Sequence, residues 1–340
     1  MTIPYRTQRV LKKIGYTILA LVLVTVLAAV CWFVWLSRYV VYTRNQGAVL
    51  RFDLDPVVPA GAIATPPESS TDVSIYYNEG DNTINTSTEL TQMIGYYVDG
   101  DALKDISTVK AQIQALPLDV PILVEVKSIY GNFYYSSSIA NRNASGIDPL
   151  AMDELISYLK ASNRYAIAYL PALRDYYYGL HHTNHGLAVK SGGYLWADEE
   201  YCYWLDPTKE GTISYLSSEI NELKLLGFDE VVFSEFRFPD TDKIAFSGDR
   251  ESAIATAAQT LVTACATDRF AVSFVGQNPR FPLPEGRTRL YLMNVDAANA
   301  GMLAEETGLE DPAAKLVFLT EFHDTRFDVY SVFRPLSAAH

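Results

Sequence analysis

The sequence predicts an α/β protein: a (β/α)8-type barrel, irregular or incomplete in part, behind one N-terminal transmembrane helix. Three observations carry that expectation. From residue 93 onward short apolar runs alternate with amphipathic helical patterns, charged residues collect at the carboxyl ends of those runs, and an uncharged apolar stretch lies at residues 14–36. Alternating strand and helix signals imply a parallel sheet with helical crossovers. Charged residues just past the strands mark the face where such barrels gather their loops.

The apolar stretch at 14–36 is long enough to cross a hydrocarbon core of roughly 30 Å. Arg6, Arg9, Lys12 and Lys13 precede it, which favours a cytoplasmic tail at 1–13. A cleaved signal peptide is the alternative. The run exceeds a signal-peptide core and no clear small-residue cleavage site follows it, so an uncleaved single-pass anchor with an extracytoplasmic C-terminal part is expected. Residues 37–92 are read as a stalk, because the segment around PVVPAGAIATPPESST is too poor in large apolar side chains to offset its ordering entropy. Within it VSIYY, at 73–77, fits a short strand.

The remaining domain, 93–336, gives strands at 93–98, 121–127, 165–171, 230–235, 270–275, 288–294 and 315–321, with a further run at 327–333. Helices fit 106–116, 149–161, 212–226, 250–266 and 297–307. Proline-rich GQNPRFPLPEGR stands where a crossover helix belongs, and few residues separate the last two runs. An antiparallel final pair is therefore expected, and with it an irregular barrel.

Net charge is −13, which disfavours phosphate backbones and excludes nucleic acid as a natural partner. Three cysteines are too few for a disulfide framework, and Cys202 and Cys265 are expected as free, buried thiols. No phosphate-binding loop, dinucleotide fingerprint or serine-hydrolase elbow occurs, so no cofactor is expected. His181, His182 and His185 lie close together but lack ligand spacing, and no metal is expected.

Carboxylates at the strand ends supply the candidate chemistry. Side chains alternate across a strand, so Leu123, Glu125 and Lys127 share a face, and apolar Ile122, Val124 and Val126 suit the helix side. Glu125 and Lys127 should then point into the barrel mouth. The same reasoning puts Phe233, Glu235 and Arg237 inward, and aligns Glu321 with Val317 and Leu319. Asp175 and Asp206 lie on neighbouring loops. Two such carboxylates facing a sugar can act as acid and base or nucleophile; equally, Glu125, Lys127, Glu235 and Arg237 can form structural ion pairs. The loop from Tyr176 to Asp206 is rich in rings, including Trp196, Trp204 and His181, and Tyr130, Tyr134 and Tyr135 extend that rim. Aromatic faces of this kind stack on sugar rings.

These residues resemble the glycoside hydrolase family DUF4015, whose members look like α-amylase-type TIM barrels. The family pattern D-V-K-x-x-x-G is met by Glu125-Val126-Lys127 with Gly131, and R-x-x-x-F-K-D by Tyr169 through Arg174-Asp175. W-x-D-P is met by Trp204-Leu205-Asp206-Pro207, and G-F-D-E-I-Q-F-D-Y-I-R-F-P by Gly227 to Pro239. Three departures stand out: Ser234 occupies the position of the family acid, Glu235 that of the following tyrosine, and Glu125 that of an aspartate one methylene shorter. The resemblance implies a carbohydrate-handling barrel, with Glu235 as nucleophile or base and Glu125 or Glu321 as acid. Arg237, Lys127, Asp175, Asp206, Trp204, Trp196, Tyr134 and His181 would contact substrate. A barrel that binds sugar without cleaving it is the alternative.

Overall fold

The computed structural model describes residues 40–43, 47–50, 89–139 and 145–339. The expected basic tail, the 14–36 span, Cys31, the 73–77 strand and most of the 37–92 stalk lie outside the described residues. Among the described residues no helix is long and apolar enough to cross a membrane. The chain divides into two compact units, Met1–Asp81 and Asn82–His340. In the first, Val40–Thr43 and Gly47–Leu50 form an antiparallel ladder inside the segment expected to be stalk.

The second unit is a closed barrel of eight parallel strands. In chain order it runs β1 (Ile94–Val98), α1 (Ile106–Ala115), β2 (Ile122–Glu125), α2 (Pro149–Ala161), β3 (Ala166–Pro171), the short α3 (Tyr176–His181), α4 (Glu210–Leu226) and β4 (Glu230–Ser234). It continues with α5 (Arg250–Cys265), β5 (Ala271–Gly276), β6 (Leu290–Met293), α6 (Ala300–Thr307), α7 (Pro312–Lys315), β7 (Leu316–Leu319) and β8 (Ser331–Pro335). Each strand pairs with its sequence neighbour, and β8 closes the circle on β1, with Phe333 opposite Gly95. A methyl at Gly95 would collide with the Phe333 ring and the Pro121 carbonyl. Closure therefore depends on that missing side chain.

Two expectations are corrected here. The barrel is complete, and its last pair is parallel: Ser331 lies opposite Val317. The 320–330 connection carries no helix yet still returns the chain to the other end of the barrel. The proline-rich segment after β5 likewise crosses without a helix, as its composition suggested.

Local chemistry explains the helix ends. Asp148 and Asp249 accept the amides of Leu150 (3.0 Å) and Ser252 (2.7 Å) at the starts of α2 and α5. Gly227 ends α4 at φ 102°, a left-handed turn that suits glycine. The last carbonyls of α1 are met by a guanidinium, Arg164 donating to Ile113 (3.1 Å) and Leu116 (2.7 Å).

Alternation sorts every strand. Leu123, Ile167, Val232, Tyr291, Val317 and Phe333 fill the interior, while Ile122, Val124, Ala168, Val231, Phe233 and Phe274 pack outward under the helices. At the amino end the interior turns polar. Glu230 is fully buried and accepts from Tyr165 (2.9 Å), Ser273 (2.5 Å), Tyr291 (3.0 Å) and the Arg289 guanidinium. Arg289 spends its other donors on the carbonyls of Ala314 (2.9 Å) and Thr91 (3.2 Å), so the pair is held from several strands at once. Removing one partner of such a pair leaves an uncompensated buried charge, at a cost of about 3–5 kcal/mol. Arg289→Met is accordingly expected to lower the thermal midpoint by about 10 °C in a circular-dichroism melt; an unchanged midpoint would show the network to be dispensable.

Candidate active site at the carboxyl face

Four strands deliver one inward side chain each to one sector of the mouth: Tyr97 from β1, Glu125 from β2, Tyr169 from β3 and Ser234 from β4. Glu125 stands as expected. Its Oε2 accepts the Gly100 amide (2.8 Å) and its Oε1 the Tyr134 hydroxyl (2.9 Å). Tyr134 reaches it because the turn through Gly131, at φ 73°, folds the chain back so that the Tyr134 amide meets the Val126 carbonyl at 2.9 Å. Burial pushes the Glu125 carboxyl above its ordinary range against these two bonds, and Asp99 and Asp101 add to the rise.

On β4 the expected facing is reversed. Phe233 points outward, its ring 6.2 Å from that of Phe236, and Val232 and Ser234 point inward. Glu235 follows the strand at φ 50°, a left-handed conformation that costs a non-glycine residue about 1 kcal/mol. That kink breaks the alternation and turns Glu235 toward the rim. There its Oε2 meets Arg237 Nη2 at 2.9 Å and its Oε1 meets Arg174 Nη1 at 3.5 Å. Both guanidiniums lie over the Trp204 ring, at 4.8 Å for Arg237 and 5.8 Å for Arg174. Asp198 ties this platform together, accepting from Arg174 Nε (2.6 Å) and Trp204 Nε1 (3.0 Å). Burial works to raise the Asp198 carboxyl, but those bonds and the Cys202 amide outweigh it and hold the group low.

Tyr169 fills the space between the two glutamates. Its hydroxyl lies 3.6 Å from Met293 Sδ on the opposite wall, so the ring floors the mouth. Burial pushes the phenol up to about 12, with Ser234 hydrogen bonding against the rise and Glu125 and Glu235 adding to it. Glu321 is exposed at the end of β7 and faces Tyr97, whose phenol is raised by burial first and by Glu321 and Asp99 next. Trp196 lies half-buried, 6.5 Å from Trp204.

Several expected site residues lie elsewhere. Lys127 does not point into the mouth: past the end of β2 it turns outward to Asp175 Oδ2 and Glu219 Oε1, both at 2.7 Å, and is fully buried. Asp175 is equally buried, capping α3 through the Tyr178 amide (2.8 Å) and accepting from Tyr215 (2.9 Å). Neither exposes surface to a ligand in this conformation. Asp206 caps a turn, accepting the Thr208 amide (2.9 Å) and hydroxyl (2.7 Å). Trp204 is buried beneath the two arginines, and His181 is exposed on α3, its ring tilted against that of Tyr177 with centroids 4.2 Å apart. Among the described residues no group of three His, Cys, Asp or Glu side chains is arranged to hold a metal. Cys202 and Cys265 are buried and free. Two grooves of about 400 and 800 Å³ beside α5 contain none of the mouth residues.

Residues 102–271, half of the chain, match the family model described as "Putative glycosyl hydrolase domain". The chain belongs to the DUF4015 family. No curated protein sequence matches it. Among solved structures it is similar to a hypothetical protein of Ruminiclostridium thermocellum, at 19% identity over 53% of this chain and 96% of that one, with a TM-score of 0.45. It is also similar to the glycoside hydrolase domain of PelA from Pseudomonas aeruginosa (13% identity, 72% and 94% covered, TM-score 0.41). A third is the GH36 α-galactosidase AgaB of Geobacillus stearothermophilus (11% identity, 74% of this chain, TM-score 0.48), of whose length the chain covers 39%.

Within this DUF4015 barrel the family motifs occupy distinct places. Glu125 and the Ser234-Glu235 pair meet at the mouth, whereas Lys127, Asp175 and Asp206 hold its loops in place. Tyr169 and Asp198 were not among the expected site residues. Tyr169 was open to the same alternation test, since it shares a face with Ile167; Asp198 carries no local signal, because its partners come from distant loops.

The Lys127 cluster places two carboxylates beside one ammonium with no solvent, and Glu219 Oε2 has no hydrogen-bond partner among the described residues. Burial pushes the Glu219 carboxyl up from 4.5 to about 7, with Lys127 opposing and Asp175 adding to the rise. A carboxyl raised on folding binds its proton more tightly in the native state. Its contribution is therefore complete below the unfolded value and is lost as pH rises through the folded one. The thermal midpoint is expected to fall between pH 5 and pH 7 and then level. Glu219→Gln should flatten that slope, and an identical slope in the variant would refute the assignment.

Proposed function

We propose that this chain is a glycoside hydrolase acting on a poly- or oligosaccharide, with Glu125 as acid and Glu235 as its carboxylate partner. The observation that carries this reading is the contrast between the two groups. Glu125 is enclosed, with burial favouring its protonated form, while Glu235 sits between two guanidiniums at the same rim. An acid and a carboxylate kept in opposite environments are what glycosidic cleavage requires. Membership of a family described as a glycosyl hydrolase domain supports the reading. So do Tyr130, Tyr194, Tyr201 and Phe322, exposed large side chains on loops that follow the carboxyl ends of strands. Arg237, Tyr134 and Trp196 are the substrate contacts that lie at or beside the mouth, and Glu321 is the second candidate acid.

We also propose that the chain is anchored through residues 14–36 with the barrel outside the cytoplasm, on the strength of that apolar run and the basic residues before it. An external protease should then cleave the barrel on intact cells while the chain remains with the membrane fraction; full protection would overturn the topology.

A second reading, a barrel that binds carbohydrate without cleaving it, is favoured by Ser234 in place of the family acid. Purified full-length protein should be incubated with α- and β-glucans, galactans, chitin and chitosan oligosaccharides and peptidoglycan strands. Turnover that falls by roughly 10²–10⁴ in Glu125→Gln and Glu235→Gln is the expected result. Binding without turnover, with turnover gained in Ser234→Asp, would identify the second reading instead.

A further inference from the structure

We propose that Tyr169 and Ser234 seat the attacking water, so that this site cleaves with inversion of anomeric configuration; the inference rests on the hydrolase reading above and specifies its stereochemistry.

The strand register orders the four groups around the rim. Glu125 lies opposite Tyr169 across β2 and β3, and Pro171 lies opposite Ser234 across β3 and β4, with Glu235 next in the chain. Tyr169 and Ser234 therefore fill the interval between the two glutamates. Glu125 and Glu235 arise two strands apart, and because Glu125 pairs through Tyr169 with Val232, Glu235 also stands three residues farther along, which puts about 14 Å between the backbones at a strand spacing of roughly 4.8 Å and a rise of roughly 3.3 Å per residue. Cleavage through a bound water needs carboxyl groups roughly 6.5–9.5 Å apart, whereas direct attack by a carboxylate needs roughly 5–5.5 Å. The origins of the two side chains suit the wider arrangement. The guanidiniums enforce it further, holding both Glu235 oxygens at 2.9 Å and 3.5 Å and keeping the carboxylate from advancing onto a sugar carbon.

What stands at the position of the family acid is a hydroxyl. Ser234 forms no glycosyl ester of the kind a carboxylate forms. Tyr169 donates its O–H toward Met293 Sδ at 3.6 Å, so what the two hydroxyls offer a water is oxygen lone pairs: a water that donates one proton to Ser234 Oγ keeps the other for Glu235 and a lone pair for attack. Tyr169 lies opposite Val232 across β3 and β4, two residues before Ser234 on the same inward face.

The step balances without any co-reactant. The oxygen of the seated water bonds to the anomeric carbon as the bond from that carbon to the glycosidic oxygen breaks. One water proton passes to Glu235, and the Glu125 proton passes to the departing oxygen. Tyr169 and Ser234 remain neutral throughout and act as positioning residues.

The test follows the first-formed anomer by proton NMR as full-length protein cleaves whichever oligosaccharide of the panel turns over fastest. Inversion is expected. Retention would overturn this inference while leaving the hydrolase reading intact, and no cleavage of any panel member would overturn both. Tyr169→Phe and Ser234→Ala should each lower kcat on the order of 10-fold or more with KM within about twofold and the thermal midpoint unchanged. A change confined to KM, or full activity in both variants, would remove them from the water seat.

Discussion

Closure of the sheet is the constraint on which the rest of this molecule depends. Because β8 pairs with both β7 and β1, no strand in the barrel is left with an unpaired edge. Each strand then has one face turned into a narrow interior and one turned toward helices or loops. That interior is filled in layers of side chains drawn from alternate strands, so the identity of a few alternating residues decides what each level can do. The middle is apolar, with Leu123, Ile167, Val232 and Val317. The amino end is polar but saturated, since Glu230 has four protein donors. Only the carboxyl end combines polar groups with access to solvent.

Two charge clusters outside the barrel cylinder make that upper level usable. Lys127, Asp175 and Glu219 fasten the turn after β2 to the loop after β3 and to α4, and the same turn carries the Tyr134 that bonds Glu125. Arg174, Asp198 and Trp204 build a platform for Glu235 from the long aromatic loop. Of the expected ion pairs, Glu235–Arg237 forms, whereas Glu125 bonds an amide and a phenol and Lys127 pairs with Asp175 and Glu219 instead. Glu235 belongs to an ion-pair network and to the rim of the mouth together.

The left-handed backbone at Glu235 is the point where local rules yield to the site. In a regular strand a carboxylate moved one position along from Ser234 would face the helices and be buried among apolar rings, as Phe233 is. A single strained residue restores it to the solvent face at small cost, because the Arg174 and Arg237 pairs stabilise the new direction.

Much of this was legible in the chain itself. The alternation of apolar runs and amphipathic stretches determined the number, order and approximate limits of the strands and the main helices, since burial demands periodicity in any such sheet. It also determined that Glu125 looks inward. Proline content determined that the β5–β6 connection would lack a helix. What only the tertiary structure decided was register and partnership. A parallel last pair and a closed ring depend on how far β8 can travel over the barrel, which composition does not encode. The turning of Glu235 depends on one dihedral angle, and the withdrawal of Lys127 into a buried cluster depends on α4 bringing Glu219 from ninety-two residues away. Periodicity reports which face of an element is apolar; which charged groups meet across elements is settled only once the elements are packed.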